Sequence, residues 1–304
     1  MKISRVKTMF LICCFGLSKL YSSVSIVYNL RISETTKRQR LEQQFGYPFI
    51  AVVTLFDQWR NIKDGTHDNI GGGLGTFLYS TKSFYIRADF AAAHARESNK
   101  ALDLRFSRTQ TDDLLFSGGY SRVLNKRTKM TLSGILGIPT HKDLSPEGIQ
   151  FGTGHVGLGV QLDGSFVYSA NQKQILMAAT RYIHFFPRTI VFDINNQNER
   201  FDFHVGNLID LFIANLSNWG RHRLEIGYNP SFLFGAKIYP AFDEVVQQTN
   251  FIRSSFYSSY KYGFLIYRLP SAVTLGISYG FDHIPKKFGN KYIVTLWASW
   301  GLNF

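Results

Sequence analysis

Cysteine is nearly missing from this chain: of 304 residues only Cys13 and Cys14 are cysteines, and both lie in an apolar stretch near the start. Lys2, Arg5 and Lys7 precede that stretch, which runs from Met9 to Leu17, and small residues follow at Ser23, Val24 and Ser25. A membrane-spanning helix needs about 20 apolar residues, so this shorter run suits export and does not suit anchoring. Residues 1–25 are therefore expected to be a signal peptide cleaved after Ser25. A mature chain beginning there has no disulfide, thiol nucleophile or cysteine metal site.

Long hydrophobic runs are missing as well. No later segment offers about eighteen uncharged apolar residues, which excludes a helical membrane protein. Proline is scarce at 8, whereas Phe (27), Tyr (16) and Gly (26) are plentiful, and the 45% hydrophobic content is spread along the chain. That profile suits many short strands.

Signatures of chemistry are equally sparse. The eight histidines are scattered, with no H-E-x-x-H, calcium loop or G-x-S-x-G beside them, so no catalytic residue, metal site or cofactor is expected. Gly71 to Gly75 (GGGLG) lacks the Lys and Ser/Thr of a phosphate loop, and reads as small residues relieving crowding in a strand. The net charge of +13 suits anionic lipid, but the charges are dispersed and no nucleic-acid motif accompanies them. Nucleic acid is not an expected partner.

What the chain does have is alternation. Counting back from Phe304 in steps of two gives Leu302, Trp300, Ala298, Leu296, Val294 and Tyr292, while the intervening residues are Asn303, Gly301, Ser299, Trp297, Thr295 and Ile293. In a strand these sets point to opposite faces. An apolar face ending in aromatics fits lipid, and the smaller, more polar face fits a lumen. Trp300, Leu302 and Phe304 are the expected assembly signal, since a terminal Phe closing such a strand resembles the insertion signal of bacterial outer-membrane barrels.

The same period predicts twelve strands, near 48–57, 69–80, 83–95, 113–124, 128–139, 154–169, 173–186, 199–216, 221–235, 250–266, 271–283 and 290–304. Tight turns near 80–82, 125–127, 170–172, 217–220 and 269–270 interleave with longer connections over 58–68, 96–112, 140–153, 187–198, 236–249 and 284–289. Outer-membrane barrels have short periplasmic turns and longer external loops. The rhythm therefore predicts an all-β, up-and-down transmembrane barrel over 48–304, multi-pass in the outer membrane, with both ends in the periplasm. Residues 26–47 would be a periplasmic N-terminal segment, either a tail or a plug. Pro230, on the apolar side of its strand, predicts a local defect.

A mid-membrane Arg or Lys facing lipid costs about 2–4 kcal/mol. The registers accordingly turn Arg87, Asp89, Asp163, Arg181, Asp202, His204, Asp210, Arg223, Glu225, Arg253, Lys261 and Asp282 inward, together with Tyr85 and Tyr257, as a lumen-facing solute pathway. The strand over 173–186 is ambiguous, because an inward Arg181 brings Met177 and Ile183 inward with it. Basic and acidic members of the set roughly match, which predicts weak ion selectivity. His94 and His184 fall on the lipid-facing side near the outer rim, as girdle residues.

Between Ser133 and Leu162 the chain reads SGILGIPTHKD and, seven residues later, FGTGHVGLGVQL. This resembles the outer-membrane family associated with meta-pathway phenol degradation, in which a strand ends at a Pro-Thr pair and a Gly-rich strand follows an external loop. His141 departs from the glycine expected after Thr140. The resemblance implies a barrel channel for small, often hydrophobic or aromatic, molecules and supplies no binding residues. The function expected is thus passive uptake of small solutes and not catalysis. Its partners would be outer-membrane lipid, the barrel-assembly machinery and the solute, with oligomeric state left open. A barrel-embedded, phospholipase-like hydrolase and an adhesive barrel acting through external loops are the alternatives.

Overall fold

The computed structural model describes residues 48–304 except 63–65, 82, 100–103, 112, 141–153, 170–172, 195–196, 241–246 and 285–289. The expectations for residues 1–47 and for the loop over 140–153 concern residues almost wholly outside that set. Every described element is a strand: β1 (Phe49–Ile62), β2 (Thr66–Ser80), β3 (Phe84–Asn99), β4 (Leu104–Thr111), β5 (Leu114–Asn125), β6 (Thr128–Ile138), β7 (Gly157–Val167) and β8 (Gln174–Phe185). There follow β9 (Arg188–Ile194), β10 (Gln197–His204), β11 (Asn207–Trp219), β12 (His222–Pro240), β13 (Gln247–Ile266), β14 (Leu269–Ile284) and β15 (Asn290–Asn303).

Twelve of these close an antiparallel barrel in the order β1, β2, β3, β5, β6, β7, β8, β11, β12, β13, β14, β15, with β15 returning to β1. The remaining three lengthen its wall. β4 pairs with the Ala92–Asn99 stretch of β3, beyond the part that pairs with β5. β9 and β10 form a hairpin continuing β8 and β11, and β10 pairs with the far end of β12.

This corrects the longer connections. Much of 96–112 and 187–198 is sheet, β1 and β2 occupy most of 58–68, and β12 and β13 extend into 236–249. Alternation marks a strand only where one face meets lipid and the other the interior. Beyond that zone the backbone pairing continues where the apolar period is short, as in Ile190, Phe192 and Ile194 of β9, and the strand predicted over 199–216 divides at Val205 and Gly206 into β10 and β11. The last tight turn also moves: Ile266 pairs with Leu269, so the turn residues are Tyr267 and Arg268, at φ 46 and 73, and not Leu269 and Pro270. Pro270 is the second residue of β14 instead, opposite Leu265, because a φ held near −65° is compatible with the first residues of a strand.

The barrel is apolar on the outside. Val53, Leu55, Leu132 and Leu275 are each more than half exposed, Leu55 at 63%, a pattern that water would penalise and lipid does not. Aromatics ring both ends: Phe49, Tyr79, Phe84, Tyr120, Trp219, Tyr260, Trp300 and Phe304 at the end carrying the first and last strand residues, and Trp59, Tyr182, Phe186, Tyr279 and Tyr292 at the other. A closed barrel leaves no unpaired edge in hydrocarbon, and even-stranded antiparallel barrels with such girdles cross bacterial outer membranes. The chain is a multi-pass barrel of this kind.

Pro230 produces the local defect. The β11–β12 ladder runs from Asn207↔Phe234 to Asp210↔Ser231 and resumes at Ile213↔Tyr228, skipping the pairs between. On its other side Pro230 still pairs with Ser254 of β13, so its donor-less nitrogen faces β11. The Asn229 side-chain amide donates to the Leu211 carbonyl in its place, which satisfies an acceptor the proline cannot reach.

Candidate functional site in the barrel interior

Alternate residues of each barrel strand turn inward, and most are nearly shut off from solvent. Tyr85, Arg87, Asp89, Asp163, Arg181, Asp210, Glu225, Arg253 and Asp282 are all buried, whereas Arg223, Tyr257 and Lys261 are half-buried. His204 is half-buried at the end of β10, across the Val205–Gly206 break from the phase of β11. The Asp202 side chain lies outside the described residues. On β8 the ambiguity resolves with Met177 and Ile183 buried on the same face as Arg181.

Register explains how the buried charges are neutralised. Residues directly opposite on neighbouring strands have Cβ atoms about 4.5–5.5 Å apart, and three Arg–Asp pairs occupy such positions: Arg60↔Asp68, Arg181↔Asp210 and Arg253↔Asp282. Arg60 Nη2 lies 2.9 Å from Asp68 Oδ2. Arg181 Nε donates to Asp210 at 3.0 Å. Arg253 holds Asp282 through both Nε and Nη2, the latter at 3.0 Å, and Asn290 donates its backbone N–H (2.7 Å) and side-chain amide (2.6 Å) to the same carboxylate. Arg87 instead uses the next inward residue of its own strand, Asp89, at 2.7 Å. Asp89 also accepts from Thr76, and Asp163 accepts from Gln161 at 2.7 Å.

Arg60, Asp68 and Glu97 lie just outside the strands that the sequence predicts over 48–57, 69–80 and 83–95. The signal was available in the continued step of two from Thr54 through Phe56 and Gln58 to Arg60.

Four inward aromatic rings share one arrangement. Phe56, Tyr85, Tyr257 and Trp297 each face a glycine directly across the ladder: Gly72, Gly119, Gly227 and Gly276 respectively. A Cβ on any of these glycines would overlap the ring opposite. The rings therefore lean over their neighbouring strands and do not project across the lumen. Within GGGLG, Gly72 seats Phe56 inside and Gly75 seats Phe90 outside, which relieves crowding on both faces. Tyr85 donates to Ser133 at 2.7 Å, and Tyr257 donates to Glu225 at 2.5 Å while stacking on Phe212 with centroids 5.7 Å apart.

The interior is two-sided. Val167, Ile175, Met177, Ala179, Phe212, Ala214 and Leu216 form a buried apolar cluster on β7, β8 and β11, against which Tyr257 packs. The inward residues that keep half-buried surface are gathered mainly on β13–β15: Tyr257, Lys261, Thr274, Gly276, Ser278, Trp297 and Gly301. Hydroxyls and glycine thus form a floor on β14, between the strands that carry the two rings.

On the outside, His94 meets the hydroxyls of Thr109 (2.8 Å) and Ser107 (3.1 Å), and His184 meets the Asn207 amide oxygen (2.8 Å) and the edge of Phe186. These are contacts of half-exposed and exposed histidines on the lipid-facing side.

No family model and no curated relative matches the chain. Among solved structures it is similar to the COG4313 outer membrane channel from Pseudomonas putida F1, at 16% identity and TM-score 0.61 over 85% of this chain and 96% of that one. The transport unit of the autotransporter AIDA-I from Escherichia coli matches less well, at 10% identity and TM-score 0.49 over 84% and 90% of the two chains. So does the P. putida toluene transporter TodX, at 9% and 0.47 over 84% and 89%. At such identity the likeness to the first is one of fold.

Proposed function

We propose that the chain is a passive outer-membrane channel for small neutral or aromatic solutes. The observation that supports this reading is the half-buried strip on β13–β15, where Thr274 and Ser278 provide hydroxyls and Tyr257 and Trp297 provide flat apolar rings. A ring-shaped solute with a polar substituent finds both partners there. The inward charges, Arg87, Asp89, Asp163, Arg181, Asp210, Arg223, Glu225, Arg253, Lys261 and Asp282 among them, mix both signs closely, which favours weak ion selectivity over a strong field of one sign. The fold shared with a solved outer membrane channel fits this reading.

Orientation follows from connection length. Two-residue turns at Lys126–Arg127, Gly220–Arg221 and Tyr267–Arg268 crowd the end that carries Phe49 and Phe304, and short turns belong to the periplasmic side. Residues 1–25 would then direct export, 26–47 would lie in the periplasm, and Trp300, Leu302 and Phe304 would engage the assembly machinery. Single-channel recording of the purified protein in planar bilayers tests the function. Weakly ion-selective openings interrupted by aromatic solutes are expected. A strongly anion-selective pore indifferent to them, or electrical silence, would overturn the proposal.

A further inference from the structure

The barrel end that carries Phe49 and Phe304 is basic around its perimeter. Lys126 and Arg127 stand between β5 and β6, Lys173 between β7 and β8, Arg221 between β11 and β12, and Arg268 between β13 and β14, all exposed. The fifth turn, between β2 and β3, carries Lys82 in sequence, and none of the stretches 80–84, 125–128, 168–174, 219–222 and 266–269 contains Asp or Glu. Connections at the opposite end, apart from 285–289 with Lys286 and Lys287, mix the signs, as in Lys63 with Asp64, Lys100 with Asp103, and Lys237 with Asp243 and Glu244.

Outward aromatics share this rim. Tyr120 is 60% exposed, Trp219 45% and Tyr267, at a turn apex, 96%. Aromatic bodies beside basic heads suit the depth where hydrocarbon gives way to headgroups: the ring or the aliphatic stem stays in the apolar layer, and the polar tip reaches phosphate. The distribution also identifies the partner. One globular partner would touch one side of the barrel, and its complementary patch would be local. Cations on hairpin after hairpin form a ring, and a membrane leaflet is the surface that meets the whole perimeter at once.

We propose that this ring is a binding collar for anionic phospholipid headgroups in the leaflet around the end that bears Phe49 and Phe304. Each basic side chain held near an anionic membrane surface favours association roughly five-fold at moderate salt. The preference is electrostatic and weakens as the Debye length shrinks. The collar acts whether or not the lumen conducts, so its failure and that of the channel reading are separable.

The test refolds the full chain into phosphatidylcholine vesicles containing an equal fraction of brominated phosphatidylglycerol or brominated phosphatidylcholine, and reads quenching of tryptophan fluorescence, to which rim residue Trp219 contributes. The wild type is expected to be quenched more by the anionic lipid. The excess should disappear in high salt, in the triple variant Arg127→Gln, Arg221→Gln, Arg268→Gln, and not in Arg96→Gln, Arg105→Gln at the opposite end. The triple Arg→Lys variant, which keeps the charge, should retain it. Where the Gln variant fails to insert, the salt series on the wild type and the Lys variant decide the matter. Equal quenching by the two lipids, or an excess that survives charge removal or high salt, overturns the collar. Indifference to anionic lipid combined with binding of soluble polyglutamate would assign the ring to an acidic protein partner and also overturn it.

Discussion

Phe49 and Phe304 close the barrel on each other: Phe304 donates its backbone N–H to Phe49 O at 2.9 Å and accepts from Phe49 N at 3.1 Å, while their rings stack with centroids 6.0 Å apart. The contact lies at the end of the β1–β15 seam, where the first and last strands must find each other. Deleting Phe304 removes both hydrogen bonds, each worth about 0.5–1.5 kcal/mol net, and a ring pair worth a similar amount. Phe304→Ala removes only the rings. The expected order of folded, heat-modifiable protein on gels is wild type, then Phe304→Ala, then the deletion. The deletion should also lower membrane levels more than removal of any single inward charge, and equal levels would refute this.

Gly276 sets where the Trp297 ring lies. A methyl group at position 276 would occupy the space of that ring, so Gly276→Ala should rotate the indole off β14 and into the lumen. Overpacking of this kind costs about 1–3 kcal/mol, and the displaced ring narrows the strip lined by Thr274 and Ser278. Lower single-channel conductance is expected from Gly276→Ala. Gly263→Ala, where a new Cβ has no contact closer than 3.7 Å, should conduct like the wild type. Identical conductance in the two variants would show that the ring is not a determinant of the path.

These contacts also mark the limit of what was legible in the sequence. The twelve barrel strands could be read because one face meets lipid and the other does not, and even the Pro230 defect followed from a missing N–H. The extra wall could be read only in part: the predicted strand over 199–216 takes in β10 from Glu199 but runs it on into β11, the alternation of Ile190, Phe192 and Ile194 on β9 is too short to set a strand apart, and β4 has only Leu104 and Phe106 as apolar residues. Tyr267 and Arg268 were missed as turn residues since neither is the glycine or asparagine that usually marks positive φ. Inward facing of Arg181 and Asp210 could be read strand by strand, but their pairing depends on the register between β8 and β11. The seats of Trp297 on Gly276 and of Tyr257 on Gly227 depend on register in the same way.

Arg253 and Asp282 are both 1% exposed, so neither charge can recover hydration if its partner is lost. Breaking a buried pair from one side costs about 3–5 kcal/mol. Asp282→Ala should fall in that range, because Arg253 loses both bonds and Asn290 loses the acceptor for two donors. Replacing both partners by apolar residues of similar volume, Arg253→Met with Asp282→Leu, should cost markedly less. Urea unfolding midpoints in lipid vesicles report the difference, and a double variant less stable than Asp282→Ala would contradict it.

Pro230 and Asn229 should be energetically coupled, since the Asn229 amide serves the Leu211 carbonyl that a residue with an N–H at position 230 would reach itself. In the Pro230 background, Asn229→Ala strands a buried carbonyl and should cost about 1–3 kcal/mol. In a Pro230→Val background the valine N–H can complete the β11–β12 ladder, so the same Asn229→Ala change should cost much less. Neighbours sharing one acceptor show coupling of about 0.5–3 kcal/mol in a double-mutant cycle. Unfolding midpoints of the wild type, the two single variants and the double variant give that term directly. Additive effects would mean that the Asn229 amide is not what compensates for the proline, and that the Leu211 carbonyl is satisfied some other way.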